Sequence, residues 1–128
     1  MQYNILIVDD NPEFVKSLKD LLIDVAGQLI SQIQYAFNAA DGLILMRDNT
    51  FHYVFMDLNM PDIDGISATR FARYEYEKPE MKIIGISAYC EDYFVHQMLK
   101  AGANYYIQKD DIDAEKIIAI FTTHCTIS

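Results

Sequence analysis

Short apolar runs alternate along this chain with segments in which apolar residues recur every three or four positions. A short apolar run bounded by polar residues is typical of a buried strand, whereas recurrence every three or four positions is typical of an amphipathic helix. On this basis the sequence predicts strands at 3–8, 33–37, 53–56, 82–86 and 105–108.

Each predicted strand is followed by a predicted helix, which is defined by the residues of its apolar face. The second helix covers 39–47, and the fourth ends at Gly102, a residue type that commonly stops helices. The five apolar faces comprise Phe14, Leu18, Leu21, Leu22 and Val25; Leu43 and Met46; Ala68, Phe71 and Ala72; Val95, Met98 and Leu99; and Ala114, Ile117, Ile118 and Phe121.

Five strand–helix units predict an α/β fold, a doubly wound five-stranded parallel sheet covered by helices on both faces. For a sheet of this size we expect strand order 2-1-3-4-5, with the topological switch point between strands 1 and 3. A (β/α)₈ barrel needs about 250 residues and is excluded by the length of 128. No repeat or linker-like tract divides the chain, so residues 1–128 are expected to form a single domain.

The composition is that of an acidic globular protein. The chain is 52% hydrophobic, and 19 acidic against 10 basic residues give a formal net charge of −9. This charge repels a phosphate backbone, so we expect no nucleic-acid binding by this domain. The apolar runs are too short to span a membrane, and residues 1–10 lack the features of a signal peptide. A cytoplasmic location is therefore expected.

The cysteines and histidines form no recognisable metal pattern. Cys90 and Cys125 lie far apart and outside any CxxC motif, and His52, His96 and His124 show no zinc-ligand spacing. We therefore expect two reduced thiols and no zinc site.

Polar residues that carry chemistry follow four of the five predicted strands. Asp9 and Asp10 follow the first, Asp57 the third, Ser87 the fourth and Lys109 the fifth. Open α/β sheets place their sites at the carboxyl ends of the strands, near the switch point. Three carboxylates should therefore converge in one shallow cleft, with a hydroxyl and an ammonium group at its rim.

Each of these residues also has an ordinary structural interpretation. Asp10 or Asn11 suits a helix N-cap, Asp57 a turn, Ser87 another cap, and Lys109 a solvated surface. Their joint placement at four strand ends favours a functional site. Because clustered carboxylates repel one another, a hard divalent cation with oxygen ligands resolves the conflict, and Mg²⁺ is the expected cofactor.

Four segments of the chain resemble the motif regions of response-regulator receiver domains, the CheY-like family of two-component signalling. They read ILIVDDN at 5–11, VFMDLNMPDIDG at 54–65, IGISA at 84–88 and AGANYYIQK at 101–109. The resemblance covers essentially the whole chain and implies a flavodoxin-like (βα)₅ fold.

The resemblance also implies a role for each site residue. Asp57 would be the phosphoacceptor, and Ser87 and Lys109 would hold the phosphoryl oxygens. Mg²⁺ would be bound directly by Asp10, Asp57 and the Asn59 carbonyl, and by Asp9 through water. Tyr106 would change rotamer and alter the surface of the fourth helix, fifth strand and fifth helix. The implied partners are a sensor histidine kinase or histidine phosphotransfer protein, and a downstream target or output domain, with dimerisation through that surface as a further expectation.

One position departs from the family pattern, because Asp110 follows Lys109 where receiver domains usually carry proline. A cis Lys109–Asp110 bond would cost about 3–4 kcal/mol, so we expect a trans bond and a different loop there. Tyr105 and Tyr106 should alternate across the fifth strand, one in the core and one at the rim.

Two other functions compete with the receiver assignment. A Mg²⁺-dependent phosphatase or phosphotransferase with an aspartate nucleophile would carry a second acid two residues later, where this chain has Asn59. A flavin-binding domain would carry a Ser/Thr/Gly-rich phosphate loop after the first strand, where this chain has Asp-Asp-Asn-Pro. The receiver function is preferred, and the domain is expected to be a phosphoacceptor rather than an enzyme.

Overall fold

Five strands alternate with five helices in a computed structural model that describes residues 2–88 and 91–123. Cys90, His124 and Cys125 lie outside the described residues, so the expectations for these side chains stay predictions. Two 3₁₀ turns, at Gly27–Leu29 and Lys109–Asp111, complete the regular structure. The strands and helices are β1 (Tyr3–Val8), α1 (Pro12–Ala26), β2 (Ile30–Ala36), α2 (Ala39–Asp48), β3 (Tyr53–Asp57), α3 (Gly65–Glu75), β4 (Lys82–Ser87), α4 (Asp92–Ala101), β5 (Tyr105–Gln108) and α5 (Ala114–Thr123).

The five strands form one parallel sheet in the order β2-β1-β3-β4-β5, which confirms the predicted topology. β1 and β3 pair from Ile5 opposite Tyr53 to Val8 opposite Met56. β3 and β4 pair as far as Asp57, which lies opposite Ile86. The register therefore brings the carboxyl ends of β1, β3 and β4 to the same edge, at the switch point of the sheet.

Two apolar cores cover the two faces of the sheet. Strand residues such as Ile7 and Phe55 pack against α1 and α5, whereas Leu6 and Met56 pack on the opposite face, against the layer that includes α2 and α3. Because successive residues of a strand face opposite ways, both faces must be apolar, which explains the uninterrupted apolar runs. Each fully buried aliphatic side chain contributes about 1.5–3 kcal/mol to folding.

Several helix positions predicted to be buried are exposed. Phe71 is 47% exposed and Ile118 51% exposed, and Leu99 is exposed as well. The buried surface of α5 is instead formed by Ile117, Ile120 and Phe121. The reason is that a helix lying on a sheet buries only a narrow stripe, so an apolar residue at the edge of its face remains in contact with water.

The bounds of the strands were predicted closely except at β2. This strand begins at Ile30, which pairs with Tyr3, three residues before the predicted start. Ser31 and Gln32 are exposed because β2 lies at the edge of the sheet, and these polar residues concealed the beginning of the strand. The predicted stop of α4 is confirmed, since Gly102 adopts a φ of 125° as the C-cap.

Within the described part of the chain, no helix is both long enough and apolar enough to cross a membrane.

Gly65 allows the chain to pass close to the end of β3, which generates a test of the fold. A Cβ atom at Gly65 would overlap the carbonyl oxygen of Asp57, a backbone atom that has little room to move. We expect Gly65→Ala to lower the free energy of unfolding by at least about 2 kcal/mol, as measured by denaturant titration. Gly27→Ala is the matched control, because its Cβ would lie 3.8 Å from the nearest atom, on Ile23, and should change stability by less than about 1 kcal/mol. Equal stabilities of the two variants would contradict this account.

Candidate functional site

The sequence-predicted site residues lie at one edge of the sheet. Asp9 follows β1, Asp57 is the last residue of β3, Ser87 is the last residue of β4, and Lys109 follows β5 directly. Asp9, Asp57 and Ser87 are buried, whereas Asp10 is exposed. The apolar strands thus carry polar side chains into a dry environment only at their carboxyl ends.

Three aspartates form an acidic cluster. One carboxylate oxygen each from Asp9, Asp10 and Asp57 can be chosen so that all three lie within 4.8 Å of one another. At such separations ionised carboxylates repel strongly unless a cation lies between them. All three potential ligand atoms are carboxylate oxygens, and the exposed Asp10 leaves the cluster open to solvent. Such a cluster suits a hard cation such as Mg²⁺.

The N-terminal cap of α1 is formed by Asn11 and not by Asp10. The Asn11 side chain accepts hydrogen bonds from the backbone N–H groups of Glu13 and Phe14, at 3.0 and 3.3 Å. Asp9 in turn accepts a hydrogen bond from the Asn11 N–H, at 2.9 Å. Because Asn11 caps the helix, the Asp10 carboxylate is not needed as a cap and can act as a ligand at the rim of the cluster.

Lys109 supplies the positive charge of the site. Its Nζ lies 2.7 Å from Oδ2 of Asp9 and 3.7 Å from Oδ1 of Asp57, and its side chain is 18% exposed. The Asp9 oxygen makes no hydrogen bond of good geometry, so Lys109 holds it mainly through the attraction of opposite charges. The Nζ also lies 4.4 Å from the centre of the Phe14 ring, a cation–π contact.

Through this contact Phe14 borders the site, which the apolar pattern did not predict. The pattern assigned Phe14 to the core face of α1, but its side chain is half-buried at the edge of that face and borders the site. Its position in the first turn of a helix that follows the aspartate pair is the signal that could have identified it.

Burial raises the pKa of Asp57 to about 7, and the negative charge of Asp9 adds to the effect. The positive charge of Lys109 and a hydrogen bond from the Asn59 backbone act in the opposite direction. Without a metal, a large fraction of Asp57 is therefore protonated near neutral pH. A cation in the cluster would favour the ionised form, which is the form that can act as a nucleophile.

The loop between β3 and α3 carries Asn59 along the rim of the site. It is closed by hydrogen bonds from the Leu58 N–H to the Ile86 carbonyl and from the Gly65 N–H to the Leu58 carbonyl. A cavity of about 510 Å³ lies beside it, between the beginnings of α3 and α4, and both Asn59 and Ser87 line it. The region around Ser87 therefore has open space next to it.

Tyr105 and Tyr106 occupy opposite faces of β5, as the alternation predicted. Both are half-buried, so the expectation of one core and one rim residue is wrong. The Tyr106 ring lies over Gly85, whose missing side chain provides the space: a Cβ there would come within 3.3 Å of the ring and 2.8 Å of Met98. Tyr106 thus packs near Gly85 of β4 and against the apolar cluster that contains Met98 of α4.

The corner after β5 is a short turn that begins at Lys109. The described residues contain no cis peptide bond, which confirms the expected trans bond between Lys109 and Asp110. Lys109–Asp111 form a 3₁₀ turn in which the Ile112 N–H donates to the Lys109 carbonyl at 3.3 Å.

Comparisons with known proteins agree with this architecture. A family model described as "Response regulator receiver domain" matches residues 5–122. Response regulator UvrY of Escherichia coli K12 is 30% identical over 117 residues, which is 91% of this chain and 52% of that protein. Transcriptional regulatory protein DegU of Brevibacillus brevis is 29% identical over 115 residues, which is 89% of this chain and 46% of that protein. The chain therefore spans about half the length of the curated relatives it matches.

The fold also matches a solved structure. A CheY-like response regulator receiver domain protein from Methanospirillum hungatei superimposes with a TM-score of 0.83 and 25% identity, covering 98% of this chain and 95% of that one.

The raised pKa of Asp57 predicts how stability depends on pH when metal is removed with a chelator. The folded pKa of about 7 lies above the ordinary value of 3.8, so the native state binds the extra proton between these values. Stability should therefore fall as pH rises through this window and level off above about pH 7. An asparagine cannot ionise, so Asp57→Asn should not lose stability in this way. We expect the variant to be more stable than wild type by roughly 1–3 kcal/mol at about pH 8, with a smaller difference at about pH 5.

Denaturant titration at both pH values, with and without Mg²⁺, measures these differences. Mg²⁺ should stabilise the wild type at the higher pH and have much less effect on Asp57→Asn. Asp20→Asn is the control for loss of one negative charge, since the Asp20 carboxylate lies in an exposed pair with Lys16 and should matter little. If the stability of wild type relative to Asp57→Asn rises with pH, the pKa of Asp57 is not raised in the folded protein.

Proposed function

The chain belongs to the response regulator receiver domain family, and we propose that Asp57 is the residue that accepts the phosphoryl group. Receiver domains of two-component response regulators are phosphoacceptors in signalling. The observation that carries the proposal is that Asp57 ends β3 beside a second buried carboxylate, with the Lys109 ammonium 3.7 Å away. A nucleophile, a cluster for a cation and a mobile positive charge are the parts that phosphoryl transfer requires.

The donor set fits a bound Mg²⁺. Asp10, Asp57 and the backbone carbonyl of Asn59 would hold the ion directly, and Asp9 would act through water. The indirect role suits Asp9 because one of its oxygens accepts from the Asn11 N–H and the other contacts Lys109. When bound, Mg²⁺ supplies positive charge shared by the Asp57 carboxylate and an incoming phosphoryl oxygen.

The proposed reaction is transfer from a phosphohistidine on a partner protein. A carboxylate oxygen of Asp57 attacks phosphorus and forms the new O–P bond while the P–N bond breaks. The imidazole nitrogen of the partner keeps the bonding electron pair. Lys109 follows one oxygen of the transferred group as a point charge, and the Ser87 hydroxyl donates to another. The domain thereby assists its own phosphorylation and dephosphorylation and does not turn over a separate substrate.

Family membership disfavours the competing phosphatase assignment. The position two residues after Asp57 is Asn59, which cannot act as the acid/base that such enzymes place there. The Asp-Asp-Asn-Pro sequence after β1 equally disfavours a phosphate loop for flavin.

We propose that the signal leaves through the surface formed by α4, β5 and α5. Ser87 would move towards the phosphoryl group, and Tyr106 would turn from its half-buried position to a more buried one. The same surface exposes Leu99 and Ile118, apolar residues that suit a protein partner or a second copy of the domain.

The proposed partners follow from the family. Residues 1–128 would act as a single receiver domain, phosphorylated by a sensor histidine kinase or histidine phosphotransfer protein. Since the chain spans about half the length of relatives such as UvrY, an output domain or a separate downstream protein would read its state. The net charge of −9 supports the proposal that this domain does not bind nucleic acid itself.

The phosphoacceptor is tested by labelling with acetyl phosphate and Mg²⁺, followed by intact-mass and peptide mass spectrometry. Wild type should gain one phosphoryl group on the peptide that contains Asp57, and Asp57→Ala should gain none there. Asp10→Ala keeps the nucleophile but loses a proposed metal ligand, so its labelling should be slower. Asp20→Ala is a surface control and should label like wild type. Labelling of Asp57→Ala to the wild-type extent would assign the chemistry to another residue.

The proposed switch is tested by NMR with beryllofluoride as the phosphoryl mimic. Moving a two-state equilibrium from 1:99 to 99:1 needs about 5.5 kcal/mol, and each charge-assisted hydrogen bond contributes about 1.5–3 kcal/mol. Ser87→Ala should therefore still bind the mimic but show smaller shifts in the α4 and β5 amides. Ser67→Ala is the matched control, because its hydroxyl bonds to Asp64 at 2.9 Å and should leave the response intact. Wild-type shifts in Ser87→Ala would exclude coupling through Ser87.

A further inference from the structure

Asp62 connects the loop that carries Asn59 to the beginning of a different helix. Its Oδ1 accepts a hydrogen bond from the Ala39 N–H at 3.1 Å, and its Oδ2 accepts one from the Ala40 N–H at 2.9 Å. Ala39 and Ala40 are the first two residues of α2, so the bonds join segments more than twenty positions apart in sequence. Neither the apolar pattern nor the four motif segments indicated this connection.

The two N–H groups bound by Asp62 are ones that α2 cannot satisfy by itself. The first turn of a helix leaves its N–H groups without partners inside the helix. Asn38, the N-cap of α2, accepts from the Asp41 N–H at 2.8 Å, which leaves the N–H groups of Ala39 and Ala40 to Asp62. The negative charge of Asp62 is also favoured at the positive end of the helix dipole. These hydrogen bonds lower the pKa of Asp62, and the one from Ala40 has the largest effect.

Asp62 differs in this respect from Asp64, two residues later. Asp64 caps its own helix, α3, by accepting from the Ser67 N–H at 2.8 Å and from the Ser67 hydroxyl at 2.9 Å. Asp64 therefore orders the C-terminal end of the loop locally. Asp62 instead fixes the middle of the loop to another element, three residues after Asn59.

We infer that Asp62 is a positioning residue for the metal site, because its double hydrogen bond to α2 holds the loop that presents the Asn59 carbonyl. The inference rests on the proposed function, in which that carbonyl is a Mg²⁺ ligand. Outer-shell groups that orient ligands commonly change metal affinity by about 10–100-fold when removed. Asp62 acts one step further away, through the loop backbone, so we expect a loss of about three- to tenfold.

The inference has a reciprocal consequence for α2. If the connection to α2 strengthens Mg²⁺ binding, then Mg²⁺ must strengthen the connection by the same factor. In the wild-type protein, Mg²⁺ should therefore slow hydrogen exchange of the Ala39 and Ala40 amides. The Asp41 amide, which is bonded to Asn38 and not to Asp62, is the internal reference and should change less.

The experiment compares Mg²⁺ dissociation constants of full-length wild type, Asp62→Ala, Asp62→Asn and Asp64→Ala by calorimetry at constant ionic strength. Asp62→Ala and Asp64→Ala remove the same charge from the same loop, so a difference between them reports the connection to α2 rather than net charge. We expect binding about three- to tenfold weaker in Asp62→Ala. Asp62→Asn, which keeps one acceptor oxygen, should lie between it and wild type, and Asp64→Ala should stay within about twofold of wild type.

The possible outcomes separate the inference from the proposed function. If wild type binds no Mg²⁺, the proposed metal site is wrong and the inference falls with it. If wild type binds Mg²⁺ but Asp62→Ala and Asp64→Ala have equal affinities, the positioning role alone is wrong. If a variant fails to fold, hydrogen exchange in wild type decides: unchanged Ala39 and Ala40 amides upon addition of Mg²⁺ would overturn the inference.

Discussion

The functional edge of this domain depends on the side-by-side burial of two carboxyl groups, those of Asp9 and Asp57. Their positions follow from the pairing of β1 with β3, in which four consecutive apolar residue pairs fix the register up to Val8 and Met56. The next residue of each strand is an aspartate, so the carboxylates cannot separate unless apolar pairs separate as well. Burial of those pairs is worth several kcal/mol in total, which is enough to hold an electrostatically unfavourable arrangement in place. The core therefore keeps two acidic side chains together at this edge of the sheet.

Lys109 relieves this repulsion without neutralising it. One ammonium group faces two buried carboxylates, and it lies 2.7 Å from Asp9 but 3.7 Å from Asp57. Burial and then the charge of Asp9 raise the pKa of Asp57 to about 7, and Lys109 offsets only part of this rise. Lys109 also contacts the face of the Phe14 ring, so its ammonium group lies between an aromatic ring and two carboxylates. In the proposed function, Lys109 would therefore face a phosphoryl group added at Asp57.

The strand–helix alternation and the strand-end residues were readable from the sequence because both follow from one-dimensional rules. Apolar runs specify strands buried on both faces, and parallel topology brings their carboxyl ends together. The misassigned positions follow from three-dimensional geometry instead. Phe71 and Ile118 are apolar at helical spacing, yet the sheet contacts only the centre of each helix face. Asp62 follows Pro61, as is typical of a turn, and its partners in α2 become adjacent only when the sheet has formed. Secondary-structure propensities, which depend on residues close together in sequence, cannot predict hydrogen bonds between residues more than twenty positions apart.

The helices around the site differ in how much apolar surface they bury, and this difference bears on the direction of the proposed switch. α1 buries Val15, Leu18, Leu22 and Ala26, so displacing it would expose four apolar side chains. α4 buries Met98 and Ala101, and its beginning borders the open cavity beside Ser87. Segments with few buried contacts undergo local rearrangement at the lowest free-energy cost. In the proposed switch, a charge added at Asp57 would act on both helices through the same edge of the sheet, and the smaller resistance would lie on the side of β4, α4 and β5. In the proposed switch, the distribution of buried apolar surface would thus set the direction of the response, and the charge added at Asp57 would trigger it.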